Sequence, residues 1–227
     1  MGDLTVIFLT VNKVPERWVE YHKQVLIEAI GDCSLITVSR KPMPDMPGIN
    51  LIQTEPICAA NVYWQILQAS KVATTPFVAV AEDDTLYPPE HFQSFRPLPD
   101  HFAYNMNRWG IFTWDTPTFF WRRRFINQTF VGPRALTIEA LEERFARHPN
   151  ILPGLYWGEL GRYFVERKMR VTSRIATAFE TEIPVLYFCH VDGLDPYQQK
   201  RTKRMWATQC RELPYWGNAE EIVKRWN

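Results

Sequence analysis

The stretch FVAVAEDDTLYPPEHF, residues 77–92, runs a small, apolar segment straight into three consecutive acids, Glu82, Asp83 and Asp84. FVAVAE, residues 77–82, reads as a buried strand, its first five residues small or apolar with no polar alternation. Pro88 and Pro89 mark a helix start, because proline's fixed φ and missing N–H suit a first turn. Between them the carboxylates repel one another, and burial makes their charged forms costly unless a cation offsets it. Ligands of open α/β sheets gather at the carboxyl ends of the strands, which is where the triplet falls. Hard oxygen donors there suit Mg2+ or Mn2+, ions that take one or two protein carboxylates and finish their shells with phosphate oxygens. The plainer reading is a solvated acidic turn whose charge favours the next helix.

Outward from this stretch, the first half alternates strand and helix. Strands are expected over 4–12 (LTVIFLTVN), 33–39 and 49–54, and helices from Pro15 and over 59–73. Trp18, Tyr21, His22, Val25, Leu26, Ala29 and Ile30 keep helical spacing. Such alternation predicts an α/β protein with a mostly parallel central sheet flanked by helices. The second half reads differently. IFTWDTPTFFWRR (111–123) predicts two aromatic strands around Asp115-Thr116-Pro117. Thr137 is expected to cap a helix, a short helix is expected from about Trp157 to Met169, and strands over 171–177 and 184–190. Asn218 is expected to cap a closing amphipathic helix. With no repeat or linker, one domain spanning 1–227 is expected, its residues 1–100 binding nucleotide and 101–227 facing an acceptor.

Composition narrows the classes. A formal net charge of +1 argues against a bulk polyanion binder, although WRRR (121–124) and KRTKR (200–204) are local basic runs. Cys33, Cys58, Cys189 and Cys210 show no CxxC pair, so free thiols in a reducing compartment are expected. The N-terminus lacks a charged leader and no run reaches the roughly 20 apolar residues of a membrane span, so a soluble cytoplasmic protein is expected. The 9 Trp, 9 Tyr and 14 Phe exceed what a core of this size needs, which predicts aromatics on a binding surface.

The order TVIFLTVN, strand, helix, VAVAEDDTLYPPEHF resembles the GT-A (Rossmann-like) fold of nucleotide-sugar glycosyltransferases, with a DxD-type motif at the end of a buried strand. The E-D-D form followed by PPEHF is most similar to the inverting N-acetylglucosaminyltransferases. The resemblance implies that Asp84 binds Mn2+ or Mg2+ directly, and that Glu82 or Asp83 touches the ribose or a metal-bound water. It implies that Thr10 and Asn12 receive the nucleotide base, and that Arg40 stands near the position where the family often has an acid that contacts uracil. UDP-sugars are the favoured donors.

Inverting transfer needs a general base to deprotonate the acceptor hydroxyl as it attacks. Glu159, in ILPGLYWGELGRYF, is one candidate, its segment similar to the WG…ED stretch of β-1,4-galactosyltransferases and the E-D helix of family 2 enzymes. Asp115 in the aromatic hairpin is the other. His190 ends an apolar strand and is read either as a further metal ligand or as a structural histidine. Lys200 and Arg201 lie in a basic segment that, by resemblance, folds over the diphosphate. Trp114, Trp121, Tyr156 and Trp157 are the aromatics expected to bind an acceptor. A saccharide or small-molecule acceptor is favoured, with a nucleic-acid acceptor next, WRRR being its contact. The rivals are a nucleotidyltransferase and a non-catalytic nucleotide-sugar-binding module. The loop after the first strand has no glycine, which disfavours the nucleotidyltransferase.

Overall fold

The computed structural model describes residues 2–149, 157–193 and 206–227. In chain order these form β1 (Leu4–Leu9), α1 (Glu16–Ile30), β2 (Ser34–Ser39), β3 (Ile49–Ile52), α2 (Ala59–Val72), β4 (Phe77–Glu82), β5 (Thr85–Leu86), α3 (Pro89–Gln93), β6 (His101–Asn105), β7 (Arg108–Phe112) and β8 (Phe119–Trp121). A 3-10 turn at Asn127–Thr129 leads into β9 (Phe130–Pro133), α4 (Arg134–Arg147), α5 (Tyr163–Met169), β10 (Ile175–Phe179), β11 (Val185–Cys189), β12 (Gln209–Cys210) and α6 (Ala219–Trp226).

The larger sheet has seven strands in the order β10-β6-β9-β4-β1-β2-β3, and β9 alone runs against the others. This is the expected α/β class with a mostly parallel central sheet flanked by helices. Its strands sort their side chains by the two-residue period. Ile7, Leu9, Val78 and Val80 face α2 and α4, whereas Val6, Phe8, Ala79 and Ala81 face α1. Burial on both faces explains why β4 reads as a continuous apolar run. Flanked by β1 and β9, β4 delivers its carboxyl end to the middle of the sheet's rim.

A second sheet was not legible as such. The aromatic hairpin β7–β8 forms as expected, but it belongs to a separate five-stranded sheet, β12-β8-β7-β11-β5. One face of that sheet packs Ile111, Leu186 and Phe188 on Trp18 of α1 and on Ile222, Val223 and Trp226 of α6. Because β5 follows β4 after a two-residue turn and pairs with β11, the acidic triplet joins the two sheets.

Two helix boundaries differ from expectation. Thr137 lies inside α4, not at its cap, and its hydroxyl donates to the Pro133 carbonyl at 2.9 Å. The helix expected from Trp157 begins only at Tyr163. Gly161 holds φ +74°, a left-handed conformation, and the preceding backbone is drawn elsewhere. Arg144 Nη1 donates to the Gly158 carbonyl at 2.7 Å and Tyr104 Oη to the Leu160 carbonyl at 2.8 Å. Asn218 does cap α6, accepting from the Glu220 N–H at 2.8 Å.

Candidate functional site

The turn at the end of β4 separates its three carboxylates. Glu82 Oε2 accepts from Gln128 Nε2 at 3.3 Å, and Asp83 Oδ2 accepts from Thr10 Oγ1 at 2.5 Å. Asp84 Oδ1 accepts from Thr85 Oγ1 at 2.9 Å, while its Oδ2 lies 3.5 Å from His190 Nε2 at the end of β11. The backbone of the turn is held just as closely. Trp18 Nε1 donates to the Asp83 carbonyl at 2.7 Å, and the Phe188 N–H donates to the Asp84 carbonyl at 2.8 Å. His22 Nε2 sits between the carbonyls of Glu82 (3.1 Å) and Thr85 (2.9 Å), so that nitrogen carries the proton.

The charges remain in tension. Desolvation, together with the charges of Asp84 and Asp83, pushes Glu82 up to about 8. Desolvation and Asp84 push Asp83 up to about 7, against the Thr10 hydrogen bond. Burial alone would lower His190, but its bond to Asp84 and the charges of Asp84, Asp83 and Asp192 prevail and raise it. Burial pushes His22 down to about 4, keeping it neutral near pH 7. A cation at this turn would offset the desolvation and the mutual repulsion that hold Glu82 and Asp83 up. Among the described residues no three His, Cys, Asp or Glu side chains converge to hold a metal ion by themselves. Asp84 and His190 offer two donors, which fits an ion that draws its other oxygens from a ligand.

Beside the turn, on the α1 face, a cavity of about 200 Å3 is lined by Phe8, Thr10, Val19, Met43, Met46 and Asp83 among others. Thr10 and Asn12 both line it. Asn12 is in the left-handed region at φ 55°, and its Oδ1 accepts from the N–H groups of Arg40 (2.9 Å) and Lys41 (3.0 Å). It thereby ties the end of β1 to the end of β2 and shapes the cavity mouth. Arg40 does not line the cavity, and its guanidinium donates to the Glu55 carbonyl.

The remaining predicted residues separate. Glu159 is buried, with Oε2 3.0 Å from Arg162 Nη1 and Oε1 3.7 Å from Arg124 Nη2. Asp115 lies just past β7, whose end adjoins that of β11 through the Thr113 N–H to Cys189 carbonyl bond of 3.1 Å. Asp115 and His190 therefore stand on the same rim of the second sheet. Trp121 is exposed and Trp114 half-buried against Phe112. Trp157 is no acceptor platform: it is 6% exposed, its ring packed against Tyr63 and Phe145 in the core. Tyr156, Lys200 and Arg201 lie outside the described residues.

Arg108 and Gln128 are at the site without having been singled out in the sequence. Arg108 is 2% exposed, with Cζ 3.9 Å from the centroid of the Tyr187 ring, and its charge acts on Glu82. Among the described residues its Nε and Nη1 have no hydrogen-bond partner, nor has Gln128 Oε1. Buried polar groups left so cost about 1–3 kcal/mol each. The available signal was one charge in the otherwise apolar RWGIF; nothing marked Gln128.

No family model matches the chain, and no curated protein does. Solved structures similar to it include the inositol-1-phosphate CTP transferase from T. maritima, at a TM-score of 0.46 and 10% identity over 89% of this chain and 94% of that one. A glycosyltransferase involved in glycosylation of the major capsid of PBCV-1 gives 0.45 and 14%, over 88% and 96%. A mannosyltransferase from Pyrobaculum calidifontis, solved with GDP-Man and Mn2+, gives 0.45 and 15%, over 82% of this chain and 56% of that one. At these scores the likenesses decide nothing about activity.

Proposed function

We propose that this protein is a metal-dependent glycosyltransferase of GT-A type, which moves a sugar from a nucleotide-diphosphate sugar to an acceptor hydroxyl with inversion. In this reading residues 1–227 act as one catalytic unit and UDP-sugars are the favoured donors. The observation that carries it is the meeting of Asp84 and His190, from two different sheets, at a turn whose other two acids are held above their ordinary range.

Asp84 and His190 would hold Mn2+ or Mg2+, which supplies charge stabilisation to a departing diphosphate. The cavity beside Thr10 and Asn12 would take the nucleoside, its apolar wall of Phe8, Met43 and Met46 covering a base. Thr10 fixes Asp83 at the edge of that cavity, where a ribose hydroxyl would meet it. Trp18 and His22 hold the turn's backbone so that the carboxylates need not reorganise on binding. Asp115 and Glu159 are the candidate bases. Both oxygens of Glu159 face guanidinium groups, so an acceptor hydroxyl reaching the carboxylate would have to displace one of them. Asp115 shares the rim of His190 and is the better placed of the two.

The test is calorimetric titration of UDP, GDP, CDP and dTDP into the protein with Mn2+, with EDTA, and into Asp84→Ala. Micromolar binding of one nucleotide that disappears in both controls supports the reading. Metal-independent binding, or silence from all four, overturns it and returns the triplet to an acidic turn.

A further inference from the structure

His22 serves the acidic turn with one ring nitrogen only. Nε2 carries the proton between the carbonyls of Glu82 and Thr85, so Nδ1 keeps its lone pair as an acceptor. Burial holds the ring neutral near pH 7. Among the described residues Nδ1 has no hydrogen-bond partner, yet it is not sealed in as His91 Nε2 is. The open space that His22 meets is the cavity beside the turn, which it lines although only 3% exposed. Its ring is held in place, because two carbonyls bind Nε2 and Phe8 stacks on it at 5.4 Å. The cavity therefore has a fixed acceptor beside the apolar side chains of Phe8, Val19 and Met46.

We propose that His22 Nδ1 accepts the ring N–H of a pyrimidine imide, which makes His22 the residue that selects a uracil-type base at this site. The proposal rests on the glycosyltransferase reading and names the base of its donor. A cavity of about 200 Å3 lies below the roughly 300–1,000 Å3 of pockets that enclose a drug-sized ligand, so it suits a single ring system. An imide N–H donates to Nδ1, whereas the bare ring nitrogen of cytosine or adenine would set a second lone pair against it. The carbonyls that flank an imide N–H need donors, and the same lining holds two. Asn12 Nδ2 donates only to the Met43 sulfur at 3.5 Å, a weak acceptor, and Lys23 Nζ only to Glu20, at 3.4 Å in an exposed pair. Guanine puts an amino donor where an imide has its second carbonyl, so it would meet a donor there.

The experiment titrates UDP, CDP and GDP in Mn2+ into the wild type and His22→Phe. UDP and CDP share ribose, phosphates and ring size, so the metal and the turn act on both alike and their ratio reports the base edge. His22→Phe keeps a ring against Phe8 and loses both nitrogens; thermal melting checks that it folds. The wild type should prefer UDP by at least about tenfold, and the variant by no more than about twofold, even where both affinities fall. Parallel weakening with the preference intact overturns the proposal, since His22 then only supports the turn. CDP or GDP bound by the wild type as tightly as UDP also overturns it and leaves the glycosyltransferase reading standing. A second measurement needs no variant: in 15N-histidine spectra of the wild type with Mg2+, the His22 Nδ1 resonance should move with UDP and stay with CDP. A resonance that answers both nucleotides alike, or neither, overturns the proposal. No metal-dependent nucleotide binding by the wild type removes the reading and the base selection together.

Discussion

His190 Nε2 lies 3.5 Å from Asp84 Oδ2, although the first residue ends a strand of the smaller sheet and the second leaves a strand of the larger one. The contact depends on β5, which carries the chain from β4 into pairing with β11 directly after the turn. The Phe188 N–H then binds the Asp84 carbonyl at 2.8 Å, which sets the level at which His190 leaves the sheet. The pair is thus a product of sheet register, and each partner is placed by backbone hydrogen bonds.

That dependence predicts that His190→Ala and Asp84→Asn each weaken Mn2+-dependent nucleotide binding by at least about tenfold. Binding measured in EDTA should be the same in both variants and in the wild type. Mn2+-dependent binding that persists unchanged in both variants would mean that the pair does not hold the ion.

The cavity makes a separate prediction. Val19 lines its α1 wall, and Val19→Trp would occupy much of the roughly 200 Å3 available. Nucleotide affinity should fall by more than about tenfold while the midpoint of urea unfolding stays close to wild type, since the added bulk enters space already present. Calorimetric titration of nucleotide into the variant and the wild type is the measurement that decides.

Gly110 tests how tightly the second sheet holds Arg108. A Cβ there would lie 2.5 Å from Phe120 Cζ and from Tyr187 Cζ, both ring atoms in a packed layer. Gly110→Ala should destabilise the protein by roughly 1–3 kcal/mol. It should also displace the Tyr187 ring on which Arg108 lies. Chemical denaturation of the variant beside the wild type measures the loss.

His91 supplies the pH dependence. It is fully buried among Tyr87, Phe92 and Phe179, and burial pushes it down to about 3. Its Nδ1 accepts from Asn105 Nδ2 at 3.3 Å, so the proton sits on Nε2. With the folded pKa below the unfolded value of 6.5, the unfolded state binds the proton first as pH falls. The stability that neutral His91 contributes is therefore present above pH 6.5 and lost on acidification towards pH 3. Between pH 6.5 and 4 this amounts to roughly 3 kcal/mol. His91→Phe should show a correspondingly shallower fall of unfolding free energy with acid, measured by denaturant titration at several pH values.

What the sequence disclosed follows from how local each signal is. The β4 run, its terminal acids and the proline start of α3 are contiguous, so the position of the triplet was readable from residues 77–92. The alternation of strands and helices likewise gave the class of the larger sheet. The second sheet was hidden because β5 is only two residues long and pairs with β11, far along the chain. Trp157 was misread because a tryptophan beside glycine looks the same whether it lines a groove or fills a core; Tyr63 and Phe145, which decide the matter, come from α2 and α4. Gln128 gave no signal at all, since its role comes from Glu82 and Thr85 across the fold.

The two candidate bases can be separated by kinetics. If Asp115 takes the acceptor proton, Asp115→Asn should lower kcat by ~100-fold or more while leaving Mn2+-dependent nucleotide affinity intact. Glu159→Gln should then have a smaller effect on kcat, and its main cost should be stability, since it leaves Arg162 and Arg124 without the buried carboxylate they face. The reverse pattern, with kcat lost in Glu159→Gln and kept in Asp115→Asn, would place the base on the ion-paired side. In that case acceptor binding must first draw Arg162 or Arg124 away, and neutralising Arg162 by Arg162→Gln should raise turnover at limiting acceptor. An increase in turnover from Arg162→Gln in an otherwise unchanged protein is therefore the decisive sign for Glu159, and its absence together with a silent Asp115→Asn would leave neither residue as the base.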